Sequence, residues 1–363
     1  GIPQSLITTT QPPDPVRILP RGNWLDESGE IVEPAVPHFL PQIEAEGRRA
    51  TRLDLARWLT SPDNPLTARV FVNRQWKLFF GQGLARTPED LGSQGEWPTH
   101  PELLDWLAVD FVESGWDVKH LVRTLVTSAT YRQASRASPA VAERDPDNRL
   151  FARQARFRLD AEMVRDNALA VSGLLSTKMG GPGVHPYQPR GYWAYLNFPP
   201  REWDDSAGDD QYRRAVYTWW QRAFPQPSLA AFDAPSREEC VADRTRANVP
   251  QQALALLNDP TYVEAARVFA ERILREGGTT FDARLRWAYE RALGRAPRAA
   301  EERILSALLQ THRAQYRADP RAAERLALAG RAPAANGLDV VELAGWTSVA
   351  RAILNLPEMI TRS

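Results

Sequence analysis

The sequence is short of several things that would make its chemistry easy to read. Lysine is nearly missing: among 45 basic residues only Lys77, Lys119 and Lys178 are lysines, and the other 42 are arginines. Cysteine occurs once, as Cys240. One cysteine excludes an internal disulfide, a cysteine-based zinc site and a CxxCH haem attachment, and such a residue is expected to be a buried, inert thiol. There is no charge surplus either, because 45 acidic residues balance the 45 basic ones. Bulk nucleic-acid binding, which needs an excess of cations to release counterions, is therefore excluded. No apolar run approaches the length of about 18 residues that a membrane span needs. The opening stretch GIPQSLITTTQPPDPVRILPRG lacks a basic-then-apolar leader, and its glycine start is what a fragment or processed chain would show.

The usual catalytic spacings are absent as well. His38, His100, His120, His185 and His312 form no HxH, HxxxH or HExxH pattern, so no spacing favours a transition metal. There is no GxSxG elbow, no Walker loop and no GxGxxG ahead of a helix. Gly180-Gly-Pro-Gly183 is glycine-rich, but its proline removes one N–H and no helix follows, so it reads as a turn.

What remains is a globular composition, with 43% hydrophobic and 25% charged residues. The 12 tryptophans and 12 phenylalanines are too many for a disordered chain. Residues 1–47 hold eight prolines, which forbid helix and favour an extended arm or linker. Val16–Leu19 and Ile31–Val32 are its candidate edge strands. From residue 48 onward the apolar spacing is helical, and residues 48–363 read as a single large helical domain. Thr99-His-Pro-Glu102 has the spacing of a capping box. Asp160 and Asp259 are candidate N-caps, the second followed by proline at the first helical position. Tyr212–Phe224 reads as a helix. Residues 176–210 or so show no helical period, and an excursion of that length is a functional candidate. The expected fold is mainly α: a multi-helix domain with a proline-rich arm and an irregular central insertion.

Three groups of residues could carry chemistry. The densest is the stretch 192–214, with Trp193, Tyr195, Trp203, Asp204, Asp205, Asp209, Asp210, Arg213 and Arg214. Flat aromatics beside charged groups are what a sugar site needs. The four aspartates offer hard oxygen ligands for calcium, without EF-hand spacing. The competing reading is that the aromatics fill a core and the aspartates cap the helix near Gln211. His185, in the same excursion, is a candidate ligand or base. The second group lies on a helix over 66–80, where Arg69, Asn73, Trp76 and Phe80 share a stripe. They form either a ligand-binding Arg–Asn pair or a buried network to a carboxylate such as Asp54 or Glu102. The third is the arginine excess itself. Arg69, Arg74, Arg213, Arg214 and Arg237 could bind an anionic glycan through their planar forks. Genome composition, with arginines paired to surface carboxylates, is the alternative.

The strings RGNWLDESGEIVEPAVPHFLP, RLDLARWLTSPDNPLTARVFVNRQWKLFFGQGL, DQYRRAVYTWWQR, FDAPSREEC, RANVPQQALALLNDPTYVEAAR and LGRAP resemble the domain of unknown function 1553. That domain is the C-terminal module of planctomycete-type cytochrome c domain proteins. The resemblance implies an exported, periplasmic or cell-surface location and a companion N-terminal domain or cytochrome-type partner. It places any haem upstream or on that partner, and none in this chain. It supplies no catalytic residues. The expected function is a non-catalytic helical module that docks on its companion and assists in partner or glycan binding. The alternatives are an enzyme acting on polysaccharide or coupled to cytochrome redox chemistry, and an arginine-based binder of anionic glycans.

Overall fold

The computed structural model describes residue 4, residues 6–195 and residues 202–362, with Tyr195 described in its backbone only. The described chain is mainly helical, as its periodicity predicts. It divides into two compact units, residues 1–128 and 129–363.

In the first unit the proline-rich segment carries two short strands, β1 (Val16–Arg17) and β2 (Ile31–Val32), paired antiparallel with each other. Four helices follow: α1 (Arg52–Leu59), α2 (Thr67–Phe80), α3 (Pro101–Glu113) and α4 (Val118–Thr127). The buried core residues Val72, Trp76, Phe80, Leu104, Leu107, Phe111, Leu121 and Leu125 come from α2, α3 and α4, whereas the leucines of α1 stay exposed. The start of α1 is a full capping box between Thr51 and Asp54. Arg48 adds a bidentate pair to the Asp54 carboxylate, both contacts at 2.7 Å. The capping box expected at Thr99 does not form. His100 occupies the cap position but its side chain makes no capping bond, while the Thr99 N–H donates to the Leu84 carbonyl at 3.0 Å. Pro101 opens the helix without needing that cap.

The second unit begins with α5 (Pro139–Arg144), β3 (Phe157–Arg158) and α6 (Ala161–Ser172). The excursion comes next; its described residues carry short 3-10 turns at Tyr192–Tyr195 and Gly208–Tyr212, and another follows at Ala215–Tyr217. The remainder is α7 (Pro227–Ala230), α8 (Pro250–Asn258), α9 (Pro260–Glu276), α10 (Phe281–Leu293), α11 (Ala299–Ala318), α12 (Pro320–Ala327), α13 (Val340–Leu354) and α14 (Pro357–Ile360). The chain ends in β4 (Thr361–Arg362), antiparallel to β3. Helix α13 is apolar on nearly every side, the mark of a fully buried helix. Its Trp346, Val349 and Ile353 pack with Tyr262, Phe269 and Ile273 of α9 in one continuous core.

Three local expectations are corrected. Residues 212–224 do not form an α-helix. Arg213 bridges to Ser176 and Thr218 to Val184 as isolated β-bridges, and the β-branched and aromatic run Val-Tyr-Thr-Trp-Trp suits that extended pairing. Asp160 stands at the N-cap of α6 but makes no capping bond; its carboxylate lies 3.7 Å from Arg246 and 3.9 Å from Arg244 instead. Cys240 is exposed, not buried, because it sits in the helix-free stretch between α7 and α8.

The Asp54 carboxyl is held well below the usual carboxylate range, chiefly by Arg48 and then by Thr51. A depressed acid contributes stability that is fully present above its unfolded pKa and is lost as pH falls. Asp54→Asn is therefore expected to lower urea stability near neutral pH. The difference from the parent chain should shrink below about pH 4, around the ordinary aspartate pKa. Chemical denaturation at pH 7 and pH 3 checks this.

Candidate functional site

A cleft of about 820 Å³ opens in the second unit. One wall is the chain from Gln188 to Ala194, including Arg190 and Trp193. The other is Glu202, Trp203, Asp204 and Asp205, and Arg331 closes it from the loop between α12 and α13. Trp193, Trp203, Asp204 and Asp205, all predicted as site residues, thus share one cleft. Arg190, Gln188, Glu202 and Arg331 join them without having been anticipated.

Aromatic packing builds the cleft wall. The rings of Trp193 and Trp203 stack at 5.6 Å with planes 18° apart. Trp193 also stacks on Phe224 at 4.8 Å, and Trp219 lies behind both indoles. Both indole N–H groups are satisfied: Trp193 donates to Gln188 Oε1 at 2.6 Å and Trp203 to the Pro186 carbonyl at 2.9 Å. Gln188 is held in turn by Gln226, whose own amide donates to the Tyr187 carbonyl. His185 belongs to this support and not to the cleft lining. Its ring packs on Trp203 at 4.5 Å, and its Nδ1 lies 3.1 Å from the Asp204 carbonyl. The Nδ1-protonated tautomer is the one that donates there.

Behind the cleft lies a buried carboxylate, Glu264 of α9. It accepts from the phenols of Tyr187 at 2.9 Å and Tyr212 at 2.8 Å, and from the backbone N–H groups of Arg331 and Ala332 at 2.6 Å each. One turn along α9, Arg267 donates to the carbonyls of Ala329, Ala332 and Pro333. The loop passes so close that a Cβ on Gly330 (φ +91°) would sit 2.1 Å from the Glu264 carboxyl carbon. Only glycine fits this position. The outcome is a loop that presents Arg331 to the cleft, with Nη2 3.4 Å from Asp205 Oδ2.

The other predicted residues lie elsewhere. Arg213 is buried and donates to the carbonyls of Pro182, Lys178 and Gly180, with its guanidinium over Tyr217 at 3.9 Å. It staples the glycine-rich turn and does not line the cleft. Arg214 is exposed, and Arg237 lies over Trp220 at 4.3 Å. Asp209 and Asp210 sit in the first turn of the 208–212 segment, with Asp210 3.7 Å from Lys178. Asp204 and Asp205 line the cleft without them. Among the described residues no group of three His, Cys, Asp or Glu side chains is placed to hold a metal ion. The side chain of Tyr195 lies outside the described residues.

In the first unit Arg69 pairs with Asp105 at 2.6 Å, so the carboxylate of the expected network is neither Asp54 nor Glu102. Asn73 exchanges two hydrogen bonds with the Ala85 backbone, at 2.8 and 3.0 Å. A Cβ on Gly83 would strike that amide at 2.7 Å. Asn73 is therefore a structural clasp. Arg74 is exposed beside an apolar groove of about 410 Å³ lined by Trp58, Leu59, Leu66, Val70 and Phe71.

These features define a helical protein in which buried arginine and glutamate groups shape an aromatic, polar-rimmed cleft. The chain belongs to the family described as PSD1, protein of unknown function (DUF1553), whose model matches residues 51–309. That span runs from the cap of α1 into α11 and includes both main cleft walls, while Arg331 falls beyond it. No curated protein and no solved structure matches the chain. Among the described residues no helix is long and apolar enough to cross a membrane.

Burial raises the phenols of Tyr187 and Tyr212 well above the ordinary tyrosine range, and the Glu264 charge reinforces the shift. A raised pKa contributes stability that is complete below about pH 10 and is lost as pH climbs beyond it. Absorbance titration should therefore show these two phenols ionising late and together with alkaline unfolding, alongside Tyr192, Tyr262 and Tyr289, which burial also raises. Tyr187→Phe should remove one of them. Ionisation of Tyr187 and Tyr212 near pH 10 with the fold intact would contradict the buried network.

Proposed function

We propose that this chain is a saccharide-binding helical module of an exported multidomain protein. The supporting observation is the cleft, which brings Trp193 and Trp203 together with Gln188, Arg190, Glu202, Asp204, Asp205 and Arg331. Its volume lies within the range of small-molecule sites. Sugars present apolar ring faces and hydroxyl-rich edges, and the cleft offers the half-buried indole edge of Trp203 with donors and acceptors at the rim. Haem, where the family carries it, is assigned to a companion domain or partner. The location outside the cytoplasm follows the family resemblance alone.

Three carboxylates at one rim also favour a hydrolytic reading of the same cleft, since glycoside hydrolysis uses paired acids. Titrating the chain with neutral oligosaccharides and following tryptophan fluorescence tests binding, and chromatography of the same mixtures tests turnover. Trp203→Ala should weaken binding about tenfold to a hundredfold, whereas Trp97→Ala in the first unit should leave it unchanged. Absence of any fluorescence or calorimetric response to saccharides sinks the binding reading. Release of shorter products would replace it with the enzymatic one.

The apolar groove on the first unit supports the docking role. Apart from Asn64, Thr67 and Arg74 its lining is hydrophobic, as a helix-binding groove requires. We assign it to contact with the companion domain. Leu59→Asp is expected to abolish co-elution of the two purified proteins in gel filtration while leaving helix content unchanged. Co-elution that survives the substitution removes the groove from the interface.

A further inference from the structure

We propose that the cleft reads a neutral saccharide through the Asp205–Arg331 pair, with Glu264 as the buried group that positions Arg331; this rests on the saccharide reading above. Two observations carry the choice of a neutral ligand. Among the described residues lining the cleft, two guanidinium groups face three carboxylates, so there is no positive excess to hold a polyanion. Asp205 already offsets Arg331 at 3.4 Å. A cationic ligand is disfavoured by the stacking of Trp193 on Trp203 at 5.6 Å. The rings occupy each other's faces, and no ammonium fits between them as it would in an aromatic cage.

The pair itself suits adjacent sugar hydroxyls. A carboxylate accepts from two hydroxyls, and a guanidinium donates to oxygen from a fixed fork. Such a pair discriminates only if both members are held in place. Asp205 lies on the aromatic-backed wall beside Trp203. Arg331 is fixed through its own backbone, because its N–H donates both to Glu264 Oε1 and to Tyr187 Oη, at 2.6 and 3.0 Å. The carbonyls on either side, those of Ala329 and Ala332, are taken by Arg267. Glu264 and Arg267 are almost fully buried and touch no ligand. They act on recognition only through the loop.

The test measures affinities of the full chain, by calorimetry, for cellohexaose, mannohexaose and xylohexaose against hexagalacturonate and a chitosan hexamer. At least one neutral hexamer is expected to bind about tenfold or more tightly than both charged ones. Arg331→Met and Asp205→Asn should each weaken that binding about tenfold to a hundredfold, the loss of a hydrogen bond to a charged group. Gly330→Ala changes the identity of no cleft side chain but displaces from Glu264 the loop that carries Arg331, and it should weaken binding too. Should that variant fail to fold, Arg331→Met still decides the role of the pair. Tighter binding of hexagalacturonate or chitosan, equal binding of all charge classes, or full affinity in Arg331→Met overturns the proposal while leaving a saccharide site standing. Failure of every saccharide to bind removes the saccharide reading as well.

Discussion

Glu264 is the constraint around which the second unit is arranged. An ionised carboxylate in a protein interior is costly unless its oxygens are fully hydrogen bonded. Here four donors converge on it from three separate parts of the chain: Tyr187 in the irregular excursion, Tyr212 just after it, and two backbone N–H groups from the loop after α12. Meeting that demand ties the excursion and the loop to the same turn of α9. The cleft is the space left between them. Its wall, its rim and its arginine are in place because a buried charge had to be satisfied.

Arginine plays the complementary part. Arg165, Arg213 and Arg267 are almost fully buried, and their forks donate to backbone carbonyls of segments that have no helix or sheet to use them. An irregular segment must find partners for its carbonyls, and one guanidinium can supply several at once. The excess of arginine therefore has a structural use in the interior that surface pairing does not describe. Exposed arginines follow the simpler rule, as the pairs Arg272–Glu276 and Arg275–Glu271 along α9 show. Burial also lowers the Arg165 pKa from its usual value, the electrostatic cost of using a charged staple.

Much of the helical plan was legible because it is local. Apolar stripes in α2, α3, α9 and α13 recur with helical period, Gly81 ends α2 in the left-handed conformation, and Asp259 with Pro260 opens α9. Legibility failed where a distant partner outweighs a local preference. Residues 212–224 carry enough apolar character for a helix, yet the backbone at Ser176 and Val184 draws them into extended pairing. Thr99 has the spacing of a cap, yet the Leu84 carbonyl takes its N–H. Half of the site was visible in the same way: Trp193, Trp203, Asp204 and Asp205 stand in one aromatic, acidic stretch. Arg331 was not visible, since it lies 126 residues from Asp205 in sequence and inside an unremarkable loop.

The sequence by itself determined the class of the molecule: helical, free of net charge, without an internal disulfide or a CxxCH haem site, and with one aromatic excursion among its helices. These properties follow from composition and short-range periodicity, which any stretch of chain carries independently. Only the tertiary structure decided which polar groups are consumed by the fold and which remain for a ligand. Arg213 and Asn73 spend their hydrogen bonds on backbone, while Arg331 and Asp205 meet across the cleft. That division is set by which donors and acceptors become buried together. Burial depends on packing between segments far apart in the chain, and local spacing carries no record of it.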